Sequence, residues 1–316
     1  MICVIIGDNL GRDFMETRVN QYELTSPKLS KKEDLLVISD IHSNIKALQL
    51  VKKILTNEVK YIMIPGDTLD QIDFPEKDEI FEELKLLSNY VQVAISLGNH
   101  DTVQFEGSGF GKKEIATSDK SFYERLEKET DCIVLTGDVC GKKINSEISV
   151  SAINMPVDWY QKGESKEEFD KFISNTSYSM DKDKFNIMLS HTPNPIITNN
   201  KLDNSKSLIN NSNLIVSGHN HGGLTPMFIQ KRSKSNEGLV GPYARVGQPN
   251  AYGYWTTEDT SLILSNGITK IATSNEISAL SSIINKIFIP DVELVHIKPG
   301  KEHSLKLVDR KVRNVK

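Results

Sequence analysis

The sequence predicts an α/β fold on three observations. Between residues 34 and 101, short apolar runs alternate with segments of helical periodicity, repeating about every 25–30 residues as βαβ units do. The polar residues that bear chemistry fall just after the apolar runs, where an open α/β sheet assembles its sites. The composition also allows a sizeable core. The chain has 316 residues, 38% hydrophobic and 25% charged, which excludes disorder, collagen and coiled coil.

The start, Met1-Ile-Cys-Val-Ile-Ile, is apolar for only six residues. A signal peptide needs a basic lead and an apolar stretch of roughly 7–15 residues, so a buried edge strand is expected here instead. Residues 8–34 are polar and mixed and read as an N-terminal arm, giving an arm over 1–34. Asp34-Leu-Leu-Val-Ile-Ser is the first apolar run and ends at Asp40. From Ile45 to Val59, Ile45, Leu48, Val51, Ile54 and Leu55 form one helical stripe. Tyr61–Ile64 is a second strand, closed by Pro65-Gly66-Asp67. Residues 76–90 are helical, with Ile80, Phe81, Leu84 and Leu87 in phase. Val91–Ile95 is a third strand, closed by Gly98-Asn99-His100-Asp101.

Beyond residue 101 the period loosens. A helix is expected at 121–129 and another at 165–174. Strands are expected at 132–135, 147–153, 185–189, 213–216 and 261–265. Residues 225–260 hold Arg232, Tyr243, Arg245, Tyr252, Tyr254 and Trp255 without clear period, and read as a substrate-side loop region. The aromatics there suit stacking on a base, packing on an acyl chain, or packing of the loop itself. The last 17 residues carry six basic and two acidic side chains and read as a solvated basic tail. One domain over 35–316 is expected, because the chemical blocks run from residue 40 to 221 and must meet.

Five blocks carry the chemistry. They are Asp40-Ile-His42, Gly66-Asp67-Thr-Leu-Asp70, Gly98-Asn99-His100-Asp101, Ser190-His191-Thr-Pro and Gly218-His219-Asn-His221-Gly-Gly. Five of the seven histidines lie in them, and only His296 and His303 fall elsewhere. Asp, His and Asn without cysteine is a ligand set suited to Mn, Fe or Zn. The three cysteines include no CxxC pair and form no disulfide framework. There are too many ligands for one ion. Two ions sharing a carboxylate would use them, activating a bridging water and neutralising a transferring phosphoryl group. In Asp40-x-His42 and His219-x-His221, residues two apart on an extended segment share a face.

The ordered set D-x-H, G-D-x-x-D, G-N-H-D, a lone His and G-H-x-H resembles the calcineurin-like metallophosphoesterase superfamily. The resemblance spans about residues 35–270. It implies a four-layer α-β-β-α sandwich of two mixed sheets. It also implies hydrolysis of a phosphoester or phosphodiester by a hydroxide bridging two transition-metal ions. On this pattern Asp40, His42 and His221 would hold one ion, Asp67 would bridge, and Asn99, His191 and His219 would complete the second. His100 matches the family's catalytic histidine, and Asp70 and Asp101 would orient ligands or His100 through hydrogen bonds. The Ser190-His191-Thr-Pro and Gly218-His219-Asn-His221-Gly-Gly forms are most similar to a bacterial, often membrane-anchored branch that includes proteins similar to UDP-2,3-diacylglucosamine pyrophosphatases.

Gln71 and Leu97 stand where the Ser/Thr protein phosphatases of that superfamily carry arginines, which lowers that reading. A nuclease or cyclic-nucleotide phosphodiesterase on the same site is the alternative, and a non-catalytic scaffold with a retained metal site is a third. The net charge of −4 gives no strong nucleic-acid signal. The expected substrate is a small-molecule, nucleotide or lipid phosphoester. With neither signal peptide nor a run of ~20 apolar residues, a cytoplasmic place or peripheral membrane association is expected.

Overall fold

The apolar runs that precede the five polar blocks all form strands in the computed structural model. It describes residues 15–106, 113–163, 165–176, 178–198, 201–203, 207–230, 236–242, 246–269 and 290–315. In chain order the strands of the first large sheet are β1 (Met15–Ser26), β2 (Glu33–Val37), β3 (Val59–Pro65), β4 (Gln92–Ser96) and β5 (Ile133–Leu135). Those of the second are β6 (Val139–Lys143), β7 (Ile148–Ile153), β8 (Phe185–Ser190), β9 (Leu214–Ser217), β10 (Gly253–Thr256) and β11 (Ser261–Leu264). Two late strands, β12 (Asp291–Pro299) and β13 (Ser304–Val315), return to the first sheet.

The seven-stranded sheet has the order β13-β1-β12-β2-β3-β4-β5, and the six-stranded sheet β10-β11-β9-β8-β7-β6. β2, β3, β4 and β5 are parallel, as are β7, β8, β9 and β11. β12 is antiparallel to β2 in the first sheet and antiparallel strands pair at both ends of the second, so both sheets are mixed.

The layering follows from the period of two along each strand. Leu35, Val37, Met63 and Ala94 point toward the second sheet and meet Val150, Phe185, Ile187, Leu189 and Val216. Leu36, Ile62, Ile64, Val93 and Ile95 point the other way. They pack against helices α1 (Ile45–Ile54), α2 (Lys77–Ser88) and α3 (Ser121–Glu129). On the far side of the second sheet, Met188, Ile215, Leu262 and Leu264 pack against α4 (Val157–Lys162) and α5 (Lys166–Ser174), through Tyr160, Phe169 and Ile173. The order is therefore helix, sheet, sheet, helix. Burial on both faces explains why the central strands read as continuous apolar runs rather than alternating ones.

Helix ends follow local chemistry. The Asn44 side chain caps α1 by accepting from the Ala47 amide at 3.2 Å. Ser165 and Glu168 form a reciprocal capping box at the start of α5. The stripe expected to run from Ile45 to Val59 ends at Ile54. Leu55 is already extended and Val59 opens β3, so that apolar residue belongs to the sheet.

Two expectations at the termini are corrected. The 1–34 arm contains β1, which lies inside the first sheet, parallel to β12 and antiparallel to β13. The basic tail contains β13, an edge strand in which Leu305 and Leu307 pack on the inter-sheet core. Lys306, Arg310 and Lys311 interrupt that edge, and charged side chains there discourage pairing with other chains. The expected first edge strand at residues 1–6 lies outside the described residues. Among the described residues no helix is long and apolar enough to cross a membrane.

Candidate metal centre

The five blocks meet at the carboxyl ends of β2, β3 and β4 in one sheet and β8 and β9 in the other. Asp40 and His42 follow β2, Asp67 and Asp70 follow β3, Asn99 to Asp101 follow β4, His191 follows β8, and His219 and His221 follow β9. Backbone bonds tie the first two turns together, from His42 N to Asp67 O (3.0 Å) and from Ser43 N to Thr68 O (3.0 Å). Two contacts cross between the sheets. The His219 amide donates to both Asp40 oxygens (3.1 and 3.2 Å), and His191 Nδ1 lies 2.9 Å from the Pro65 carbonyl.

The backbone at these turns is strained. Asp40, His42, Asp67, His219 and His221 all have positive φ, between 44° and 68°. Such non-glycine conformations cost about 1–3 kcal/mol each and persist where the surroundings impose them, typically at functional sites. Glycine is required beside them. A Cβ on Gly98 would sit 2.1 Å from Asp67 Oδ1, and one on Gly218 would sit 2.4 Å from Asp40 Oδ2.

Three sets of ligand atoms cluster closely enough to hold an ion: Asp40, His42 and His221; Asp67, His191 and His219; and His42, Asp67 and His100. Asp67 Oδ2 stands between the first two sets, 3.7 Å from His42 Nε2 and 3.0 Å from His191 Nε2. His221 Nε2 is 3.5 Å from Asp40 Oδ1. Asn99, next to His100 in the chain, is buried.

The donor set fits metal ions. His191 Nδ1–H donates to a carbonyl, which can only accept, so in the neutral ring Nε2 is a lone-pair atom. That atom is buried without a hydrogen-bond partner and faces a carboxylate oxygen. Both ring nitrogens of His42 are also buried without a hydrogen-bond partner, and in the neutral ring one of them carries the lone pair. Lone pairs aimed at carboxylates in a buried site need a cation between them, a proton or a metal.

Without metal the electrostatics split the histidines. For His191, burial opposes charge but Asp67 outweighs it, raising the pKa to about 9. His42 moves up as well: burial opposes, and Asp70, Asp67 and Asp40 prevail. Burial depresses His219 well below the ordinary value and takes His221 down to about 4. Asp67 stays ionised, since burial is outweighed by His191 and His100.

His100 is more open to solvent than His42, its side chain 20% exposed. Its Nδ1 is 2.8 Å from the Asp70 carbonyl, its amide donates to Asp67 Oδ1 at 2.9 Å, and its ring lies edge-on to His42. The Asp70 carboxylate stands 3.6 Å from His100 Nδ1 and 3.7 Å from His42 Nδ1. Asp101 is wholly buried and touches loop backbone instead, accepting from Leu69 N (2.9 Å) and Gly98 N (2.8 Å) and from the Tyr123 hydroxyl.

A family model for calcineurin-like phosphoesterases matches residues 34–223, the segment that carries all five blocks. The chain belongs to that family. It is a metal-dependent phosphoesterase, a hydrolase whose family is typically dimetal-dependent. No curated protein matches it. Among solved structures it is similar to the phosphopantetheinyl hydrolase of Mycobacterium tuberculosis, at 13% identity over 60% of this chain and 84% of that one, TM-score 0.36. It is similar to the purple acid phosphatase PPD1 from yellow lupin (Lupinus luteus) seeds, at 11% identity over 62% and 39%, TM-score 0.37. The Haemophilus influenzae NAD nucleotidase is 12% identical over 76% and 46%, TM-score 0.37. The chain thus spans under half of the last two, and likenesses this distant carry no argument about activity.

Within this phosphoesterase, several residues that support the site escaped the sequence reading. Asn154 Oδ1 accepts from the Leu97 amide at 2.9 Å and its Nδ2 donates to the Leu135 and Gly137 carbonyls. It follows strand β7 as the candidate ligands follow theirs, so the same strand-end signal could have found it. The Tyr160 ring packs on His219 (4.9 Å) and His191 (5.8 Å), and Tyr123 holds Asp101. Neither was distinguishable from an ordinary helix residue.

Where it is described, the loop region at 225–260 holds more regular structure than expected. It includes a hairpin (Gly238–Val240 with Val246–Gln248) seated on the His221-Gly-Gly turn, where Gly223 and Gly238 meet too closely for a side chain. Its last part is β10. Trp255 joins the core and Tyr254 packs edge-on to Tyr22, while Tyr252 is buried. These three pack the fold. Arg232, Tyr243 and Arg245 lie outside the described residues.

Proposed function

We propose that the chain hydrolyses a small phosphodiester or pyrophosphate, with Asp40, His42 and His221 holding one ion, His191, His219 and Asn99 a second, and Asp67 shared between them. The observation that carries this is the buried Asp67 Oδ2 placed between His42 Nε2 and His191 Nε2, at 3.7 and 3.0 Å. When bound, the ions supply Lewis-acid charge for the phosphoryl oxygens and activate water for attack.

The remaining chemistry belongs to side chains. His100 binds at the open edge and donates the proton that the leaving oxygen needs. The Asp70 carbonyl holds the His100 ring through Nδ1, so the proton would come from Nε2. Asp101, Gly98 and Asn154 hold the turns that carry Asp67 and His100.

Leu97 is buried in the core, and Gln71 stands beside Asp70, so neither position of the protein-phosphatase arginines offers a cation here. This favours small phosphoesters, nucleotides or lipids over phosphoproteins. The Ser190-His191-Thr-Pro and Gly218-His219-Asn-His221-Gly-Gly sequences support a place near the branch similar to UDP-2,3-diacylglucosamine pyrophosphatases. The test is turnover by protein reconstituted with Mn, Fe or Zn on monoesters, diesters, nucleotide sugars, cyclic nucleotides and a phosphopeptide. A phosphopeptide cleaved faster than every small diester would refute this substrate class.

A further inference from the structure

A buried polar cluster joins the terminal strands to one half of the candidate metal centre. Asp291, on β12, is 1% exposed and Glu293 is fully buried; Arg18 and Asn20, on the neighbouring β1, are both 3% exposed. Arg18 pairs with Asp291 Oδ2, and Asn20 Nδ2 reaches Asp291 and Glu293, both at 3.1 Å. Burial, then Asp291, pushes the Glu293 carboxyl up strongly.

Asp291 has a second set of partners. Its oxygens accept from the Asn266 amide (2.8 Å) and from Asn266 Nδ2 (2.7 Å), and its own amide donates to the Gly267 carbonyl (3.0 Å). The turn thus held lies on the strained ligand segments. The Ile268 amide donates to Ser39 O (2.9 Å) and the Thr269 hydroxyl to Ile41 O (2.7 Å), on either side of Asp40. Gly267 is so close to Asp40 that a Cβ would stand 2.9 Å from the Asp40 Cβ. On the other side Asn266 Oδ1, itself without a hydrogen-bond partner, would be 2.7 Å from a Cβ on Gly222, the residue after His221. Asp40, His42 and His221 all hold positive φ, which needs such outside restraint. Asn266, Asp291 and Arg18 lie outside the matched segment 34–223.

We propose that Asn266, held by the buried Asp291 carboxylate, is a positioning residue for the Asp40–His42–His221 half of the metal centre. The proposal rests on the two-ion reading above. Mn²⁺ titration of the full chain, followed by electron paramagnetic resonance, tests it. Wild type should bind two ions with the signature of a coupled pair. Asn266→Ala should keep one ion at wild-type affinity and weaken the other about 10–100-fold, the usual effect of removing a partner behind a ligand. Its spectrum at one equivalent should be that of isolated Mn²⁺. Asp291→Asn should do the same; because it also strips Arg18 of its partner, Asn266→Ala is the deciding variant. Two ions bound by Asn266→Ala with unchanged affinity, or both weakened equally, overturn the positioning role while leaving the function standing. A wild-type chain that takes up no Mn²⁺ sinks both.

Discussion

Loading the centre with metal must expel a proton from His191. Free of metal, the ring carries a pKa of about 9 because Asp67 outweighs its burial. At pH 7 the ring is therefore protonated, since that value lies well above neutral. An ion can bind Nε2 only after that proton leaves, as metal ligands must be deprotonated. His219 and His221, depressed by burial, bring no proton at neutral pH. His42, shifted upward, adds a further fraction. The apparent affinity for the ion at the Asp67–His191–His219 cluster should rise about tenfold per pH unit and level off above about pH 9. Over the two units from pH 7 this is about 3 kcal/mol. Calorimetric titration with Mn²⁺ in buffers of different ionisation enthalpy reads the proton count directly. At least one proton should leave per chain at pH 7, falling toward none well above pH 9. Two tightly bound ions with no proton released at pH 7 would refute the reasoning, as would an affinity independent of pH.

The same shift governs the metal-free protein. A raised histidine stabilises the fold fully below its unfolded value of 6.5 and loses that contribution as pH climbs through about 9, so melting of chelated protein should fall over that window, and less in His191→Gln. His221, lowered to about 4, acts oppositely and removes stability as pH drops from 6.5 to about 4, which His221→Gln should abolish in the same melts. Tyr123→Phe strips a donor from buried Asp101 and should cost about 1–3 kcal/mol in denaturant unfolding, with metal stoichiometry retained. Gly98→Ala drives a Cβ to 2.1 Å from Asp67 Oδ1 and should empty the centre by elemental analysis while far-ultraviolet circular dichroism stays native-like.

The candidate site was legible because its chemistry is local. Each proposed ligand follows a buried strand, and an apolar run stopped by Gly, Asp or His is visible in one dimension. The central strands and α1 to α3 could be read for the same reason, their burial being continuous or helical in period. The termini could not. β1 buries Arg18 and Asn20 as well as Val19, Tyr22 and Leu24, so its apolar pattern is broken by polar residues whose partners lie about 270 positions away. β12 hides Asp291 and Glu293 in the same way, and β13 is an edge strand whose alternation is diluted by lysine and arginine. Asp70 and Asp101 were visible as carboxylates but not in their contacts, which depend on how neighbouring turns meet.

The most direct test of the account is metal content and kcat measured together for wild type, Asp67→Ala and His100→Ala, on a nitrophenyl diester and an alkyl ester. Wild type should hold two transition-metal ions per chain and turn over both esters. Asp67→Ala should lose metal and activity together, because the shared carboxylate is gone. His100→Ala should keep both ions and lose roughly 10²–10⁴ in rate, less on the nitrophenyl ester, whose leaving group needs little protonation. The account is contradicted if wild type binds no metal on reconstitution, or if His100→Ala loses its ions as completely as Asp67→Ala.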